Sequence, residues 1–227
     1  MKGVFVAIDG PGAAGKSTLL RNLTERLTGA GVPVLSTTEP SRGEIGQLAR
    51  SRTHEYKGMA LACLVGADRY HHLETEIRPA VDAGKVVLCD RYTLSSLVLQ
   101  AGTDGVPEPV VRCINAHADP PDLQIVLTAP PEVLRERLDV RGSHGRFEDD
   151  PALPGREVEL YRGAAAASER AGVRTIVADT SQGPEVIESL LSGLTGPIGG
   201  YGRNDTVNPP DEVTPCRSAT AASSTST

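Results

Sequence analysis

The chain is 227 residues long, enough for one α/β domain with a full core and some excess. Its net charge of −6 excludes a general nucleic-acid footprint, so no nucleic-acid polymer is expected as a partner, and any nucleotide phosphate must be met by a local cluster of Lys and Arg. Aromatic residues make up only 3% of the chain, with no Trp, which leaves little stacking surface for a nucleobase.

Strands are expected at Val4–Ile8, Val32–Thr37, Val86–Cys89, Leu123–Leu127 and Val173–Ala178, each a short β-branched or apolar run. Helical patterning lies between them: Lys16–Ala30, Ile45–Arg52, Tyr56–Ala83, Leu94–Gln100, Pro109–His117, Pro131–Val140, Arg156–Ala171 and Pro184–Leu194. Alternating strands and helices predict a five-stranded parallel sheet covered on both faces, an α/β fold with its ligands beyond the carboxyl ends of the strands. The domain is expected over residues 1–195. From about Gly196 to Thr227, Gly, Pro, Ser and Thr dominate, and this stretch reads as a disordered low-complexity tail.

The first chemical signal is Gly10-Pro11-Gly12-Ala13-Ala14-Gly15-Lys16-Ser17-Thr18, which satisfies G-x-x-x-x-G-K-[ST] between a strand and a helix. Glycines let the backbone curl so that N–H groups point inward, and the helix N-terminus adds its positive dipole end. Lys16 would reach the β- and γ-phosphates of a nucleoside triphosphate, and the Ser17 hydroxyl would ligate Mg²⁺. The second signal is Asp90-Arg91 at the end of the third strand. The acid there can support Mg²⁺, and the arginine directs a planar, permanently charged fork at the same crevice.

Three further segments carry charge towards that crevice. Glu39-Pro40 makes a rigid turn followed by Arg42. Arg69 sits one helical turn beyond Val65. A glycine-broken basic loop with Arg141 and Arg146 has what a small mobile lid over residues 141–150 requires. His71 and His72, adjacent on a helix, face about 100° apart, which is poor metal-ligand geometry, so neither is assigned a role. Four cysteines show no metal or redox spacing. Three of them, Cys63, Cys89 and Cys113, fall in apolar surroundings, which predicts reduced, buried thiols in a cytoplasmic protein. The longest apolar stretch, around Met59–Ala67, is too short for a membrane span, and Asp9 interrupts the N-terminal apolar run too early for a signal peptide.

The order of these segments resembles the bacterial type of the thymidylate kinase family. FVAIDG…GKST is followed by TTEP, ADR, Ile77-x-Pro79-Ala80, VVLCDRYTLSS, Pro121–Leu123 and R-x-x-x-x-R-F-E, together spanning about residues 1–195. The resemblance implies a P-loop kinase that moves the γ-phosphoryl of MgATP to the 5′-phosphate of dTMP. It also implies a homodimer.

By position, it places Gly10 to Thr18 on the ATP phosphates and Arg91, with Arg42, on the acceptor phosphate. Glu39, Val65, Arg69, Ser95, Ser96 and Leu99 fall around the acceptor, and Arg141 and Arg146 become the lid arginines. Lys16, Arg91, Arg141 and Arg146 form the catalytic set, and Ser17 and Asp90 the metal side. The loop Asp179–Ser181 would border the adenine. Three positions depart from the family pattern, all on the acceptor side: Gly12 where an acid is expected, and Val65 and Leu99 where large or aromatic side chains are expected. A kinase for another or modified pyrimidine nucleotide therefore remains an alternative. From a different class, the alternative is a P-loop ATP- or GTP-binding regulator, against which the chain has no N-K-x-D segment.

Overall fold

The computed structural model describes residues 2–142, 147, 153–183, 186, 189 and 192. Five strands, β1 (Val4–Asp9), β2 (Val34–Thr38), β3 (Val86–Asp90), β4 (Leu123–Thr128) and β5 (Thr175–Asp179), form one sheet in the order β2-β3-β1-β4-β5. Every pairing is parallel. The expected α/β architecture is therefore present, and β1 lies at its centre. β2 starts at Val34 rather than Val32. Pro33 intervenes, and proline has no N–H for a ladder, so it contributes its carbonyl to the Val86 amide instead.

The two faces of the sheet divide by strand alternation. Val4, Val6, Ile8, Val86, Leu88, Leu123, Ile125 and Leu127 pack with Leu19, Leu23 and Leu27 of α1 (Lys16–Gly29). Phe5, Ala7, Val87 and Cys89 point the other way, against Leu73, Ile77, Ala80 and Val81. Those last residues belong to one long helical run: α3 (Gly58–His72), a π-helical turn at Leu73–Ile77, and α4 (Arg78–Asp82). The sequence pattern predicted a single helix over Tyr56–Ala83. Pro79 cannot donate to the helical ladder and crowds the turn before it, and the wider π turn lies immediately ahead.

After α2 (Glu44–Ser51), α5 (Thr93–Ser96) and α6 (Glu108–Ile114), helix α7 (Pro131–Arg141) leads to α8 (Leu153–Arg170). The helix expected over Pro184–Leu194 lies almost wholly outside the described residues, as do Arg146, most of the 141–150 segment and the 196–227 tail. Among the described residues no helix is long and apolar enough to cross a membrane. The cysteine expectation needs correction. Cys89 is buried, but Cys63 and Cys113 are exposed, because α3 turns Leu61, Ala62 and Val65 inward and α6 turns Val111 inward, leaving the cysteines on the outer faces.

Candidate active site

The glycine-rich turn after β1 adopts the conformations its sequence requires. Gly10 has φ 146°, and a Cβ there would run into the Leu127 carbonyl oxygen, so only glycine lets the loop pass β4 so closely. Gly15, at φ 95°, is the N-cap of α1 and offers no capping side chain, so the first helical N–H groups remain directed at the loop's mouth. Lys16 Nζ donates to the Gly10 and Pro11 carbonyls at 2.9 and 2.8 Å. Burial, and then the Arg91 charge beside it, push its ammonium down to about 8.

Next to this turn opens a cleft of about 280 Å³. Lys16, Ser17, Glu39, Val65, Arg69, Asp90, Arg91, Ser95, Ser96, Leu99 and Arg141 all line it, so the fold brings together most of the residues that the sequence singled out. The Ser17 hydroxyl donates to Asp90 Oδ2 at 3.1 Å, and the buried Asp90 Oδ1 has no hydrogen-bond partner. A hydroxyl and an orphaned carboxylate oxygen beside a phosphate cradle suit Mg²⁺, which takes one or two protein oxygens and completes its shell with phosphate and water.

Arg91 has a left-handed backbone, φ 73°, uncommon for a non-glycine residue and often found at functional sites. Its Nη1 donates to the Tyr161 hydroxyl at 3.2 Å and lies 3.5 Å from Ser95 Oγ. Burial opposes its charge, but Tyr161, Asp90, Glu157 and Asp9 outweigh it and hold the guanidinium above its ordinary value. Arg42 is exposed and does not line the cleft. It precedes Gly43, the N-cap of α2, and its carbonyl accepts from the Gln47 side-chain amide. The arginine that lines the cleft from this segment is Arg50, two turns into α2, which donates to the Pro40 carbonyl.

Farther in, Arg69 is buried. Its Nε donates to Glu39 Oε2 at 2.7 Å, its Nη1 to Ser96 Oγ at 3.1 Å and to Asn115 Oδ1, and its guanidinium lies 5.2 Å from the Tyr92 ring centroid. His72 completes the set. Nδ1 donates to Glu39 Oε1 at 3.3 Å and Nε2 meets the Thr37 hydroxyl at 2.8 Å, a supporting role that the helix-face argument did not give it. Val65, Leu99 and Leu61 form an aliphatic wall, to which Phe147 adds an aromatic ring. Gln100, beside Leu99, lines the cleft with an Oε1 that has no partner. Arg50, Gln100, Glu157 and Tyr161 escaped sequence reasoning because none lies within a contiguous motif.

On the donor side, Thr180 Oγ1 reaches the Ala14 carbonyl at 3.1 Å, tying the loop after β5 to the P-loop. Arg137 of α7 clasps the same residue, donating to Thr180 Oγ1 at 3.0 Å and to its carbonyl at 2.7 Å.

A parallel sheet that delivers a P-loop, a strand-end Asp-Arg pair and an arginine-lined cleft to one edge defines a P-loop nucleotide phosphotransferase. The thymidylate kinase family profile matches residues 8–189. A thymidylate kinase of Pseudomonas fluorescens is 34% identical over 205 residues, covering 86% of this chain and 95% of that enzyme. Thymidylate kinases of Exiguobacterium sibiricum (32% over 200 residues; 84% and 93%) and Caldicellulosiruptor saccharolyticus (34% over 157 residues; 66% and 76%) are also similar. The chain belongs to the thymidylate kinase family, and is thus a nucleoside monophosphate kinase that phosphorylates dTMP to dTDP with ATP.

Proposed function

We propose that the residues of this cleft divide the transfer between two binding halves. Gly10 to Thr18 hold the ATP phosphates, with Lys16 moving from the loop carbonyls to the β- and γ-phosphates. Arg91 and Arg50 hold the 5′-phosphate of dTMP. Arg69, fixed by Glu39, faces the thymine base with Ser96, and the unpartnered Gln100 Oε1 accepts its N3–H. Val65, Leu99 and Phe147 pack on the ring. Ser17 and Asp90 hold Mg²⁺, which when bound draws charge from the β- and γ-phosphate oxygens. Arg141, with Arg146, meets the charge that develops on the transferring phosphoryl group.

The observation that carries this reading is that Lys16 and Arg91 line one cleft with Asp90 beside both. Two anchored phosphates are thereby presented to each other, and phosphoryl transfer requires little beyond such positioning and charge. Residues 1–195 act as one catalytic domain in the cytoplasm, as a homodimer whose mass light scattering would read. The central experiment is ADP release from MgATP with and without a panel of nucleoside monophosphates. Release that depends on dTMP supports the reading. Equal release without an acceptor would mean a nucleotide-hydrolysing regulator instead.

A further inference from the structure

Two residues of α8 that belong to no motif contact the P-loop and Arg91 from behind the cleft wall. Glu157 is 5% exposed, and its Oε2 accepts the N–H of P-loop Gly12 at 3.2 Å. Tyr161 is fully buried one helical turn later, on the same face of α8. Its hydroxyl accepts from Arg91 Nη1 and lies 2.9 Å from Ser95 Oγ.

Chemistry sets the direction of this chain. A guanidinium only donates. Ser95 Oγ gives its single proton to Asp9 Oδ1, which also accepts the Tyr92 and Ser95 amides, while Asp9 Oδ2 accepts from Gln124. The Tyr161 proton therefore goes to Ser95, and the order is Arg91 to Tyr161 to Ser95 to Asp9. Burial holds the Tyr161 phenol well above its ordinary value, so it stays neutral and keeps that proton. Asp9 sits at the end of β1, directly before the P-loop, so the chain anchors the acceptor arginine to the strand that delivers the donor loop.

We infer that Glu157 and Tyr161 are positioning residues for phosphoryl transfer: one face of α8 fixes Gly12 on the donor side and Arg91 on the acceptor side, and so sets the separation of the two phosphates. This rests on the proposal that Arg91 meets the acceptor phosphate. A misplacement of about 1 Å between reacting groups can cost roughly 10²-fold in rate. The left-handed backbone of Arg91 and its long side chain require such an external fix. α8 also carries Glu157 into the neighbourhood of Lys16 and Arg91, where its charge favours the protonated form of both.

The test begins with wild type and Arg91→Ala assayed with MgATP and dTMP. If Arg91→Ala keeps wild-type turnover, the acceptor-phosphate role fails, and this inference fails with it. If it does not, Tyr161→Phe is decisive, because the ring still packs against Leu94, Val98, Val126 and Ala165 and only the hydroxyl is lost. The expected result is kcat lowered roughly 10- to 100-fold, the range for a lost hydrogen bond to a charged group. KM for ATP should stay within about twofold, since uniform ATP binding is untouched. In the Arg91→Ala background the same change should cost little more, because both act on one contact. A merely structural tyrosine would instead give losses that add. Glu157→Ala should lower kcat, and Glu157→Gln, which keeps an acceptor for the Gly12 N–H, should restore much of it. Wild-type kcat in Tyr161→Phe, additive losses with Arg91→Ala, or wild-type kcat in Glu157→Ala would each overturn the inference.

Discussion

Arg69 Nε and Glu39 Oε2 stand 2.7 Å apart with both side chains only 2% exposed, a closed ion pair at the inner end of the cleft. Removing one partner of such a pair leaves a buried charge uncompensated, at a cost of about 3–5 kcal/mol. Glu39→Ala should therefore lower the melting temperature by roughly 10 °C in a protein of this size and raise KM for dTMP with little change for ATP. Calorimetry and steady-state kinetics check both. An unchanged melting temperature would show that Arg69 finds another anion.

Lys16→Ala should reduce kcat by roughly 10²-fold or more, the scale seen when a preorganised charge-stabilising donor is removed, while circular dichroism stays that of the wild type. Turnover near the wild-type value would remove Lys16 from the transfer.

The pH dependence follows from the same residue. Its free-enzyme pKa is held down to about 8 by burial and by Arg91. The protonated amine is the form that binds phosphate. The kcat/KM for ATP should thus be full below about 8 and fall as pH rises through that value. The phosphates of both substrates, which last titrate near pH 6, are already fully ionised there. A flat profile from pH 7 to 9.5 would count against it.

Arg50 and Arg42 should separate cleanly. Arg50→Ala should raise KM for dTMP and lower kcat, because Arg50 lines the cleft. Arg42→Ala should leave both nearly unchanged, because Arg42 is exposed outside it. The opposite pattern would restore the role that the sequence gave Arg42.

Gly12→Asp is a sharper test of the acceptor side. The family resemblance implies an acid at this position, on the acceptor side, where it would address the acceptor sugar. In the fold, Glu157 already occupies the Gly12 N–H, so a second carboxylate would face a like charge in a buried place. The substitution should therefore lower kcat/KM for dTMP, and part of the loss should return in the Gly12→Asp, Glu157→Gln double variant. A gain in dTMP over analogues lacking the 3′-hydroxyl would mean that Glu157 yields to the new acid.

The sequence by itself determined whatever is local. The nonapeptide from Gly10 to Thr18 carries its own backbone conformation, the alternating apolar strands carry their two faces, and Asp90-Arg91 comes at the end of β3 by adjacency. What only the tertiary structure decided are the contacts between distant positions. Glu157 lies 145 residues from Gly12, and Tyr161 lies 70 from Arg91. No periodicity reports such a pairing, because α8 reads as an ordinary amphipathic helix until the sheet order β2-β3-β1-β4-β5 places it beside the P-loop edge. The same reason separates Arg50 from Arg42. Charge and a turn motif mark Arg42, which precedes the N-cap of α2, whereas Arg50 lies within the helix, and the direction of its side chain is set by which face of α2 is packed, through Gly46 and Ala49, against the rest of the fold.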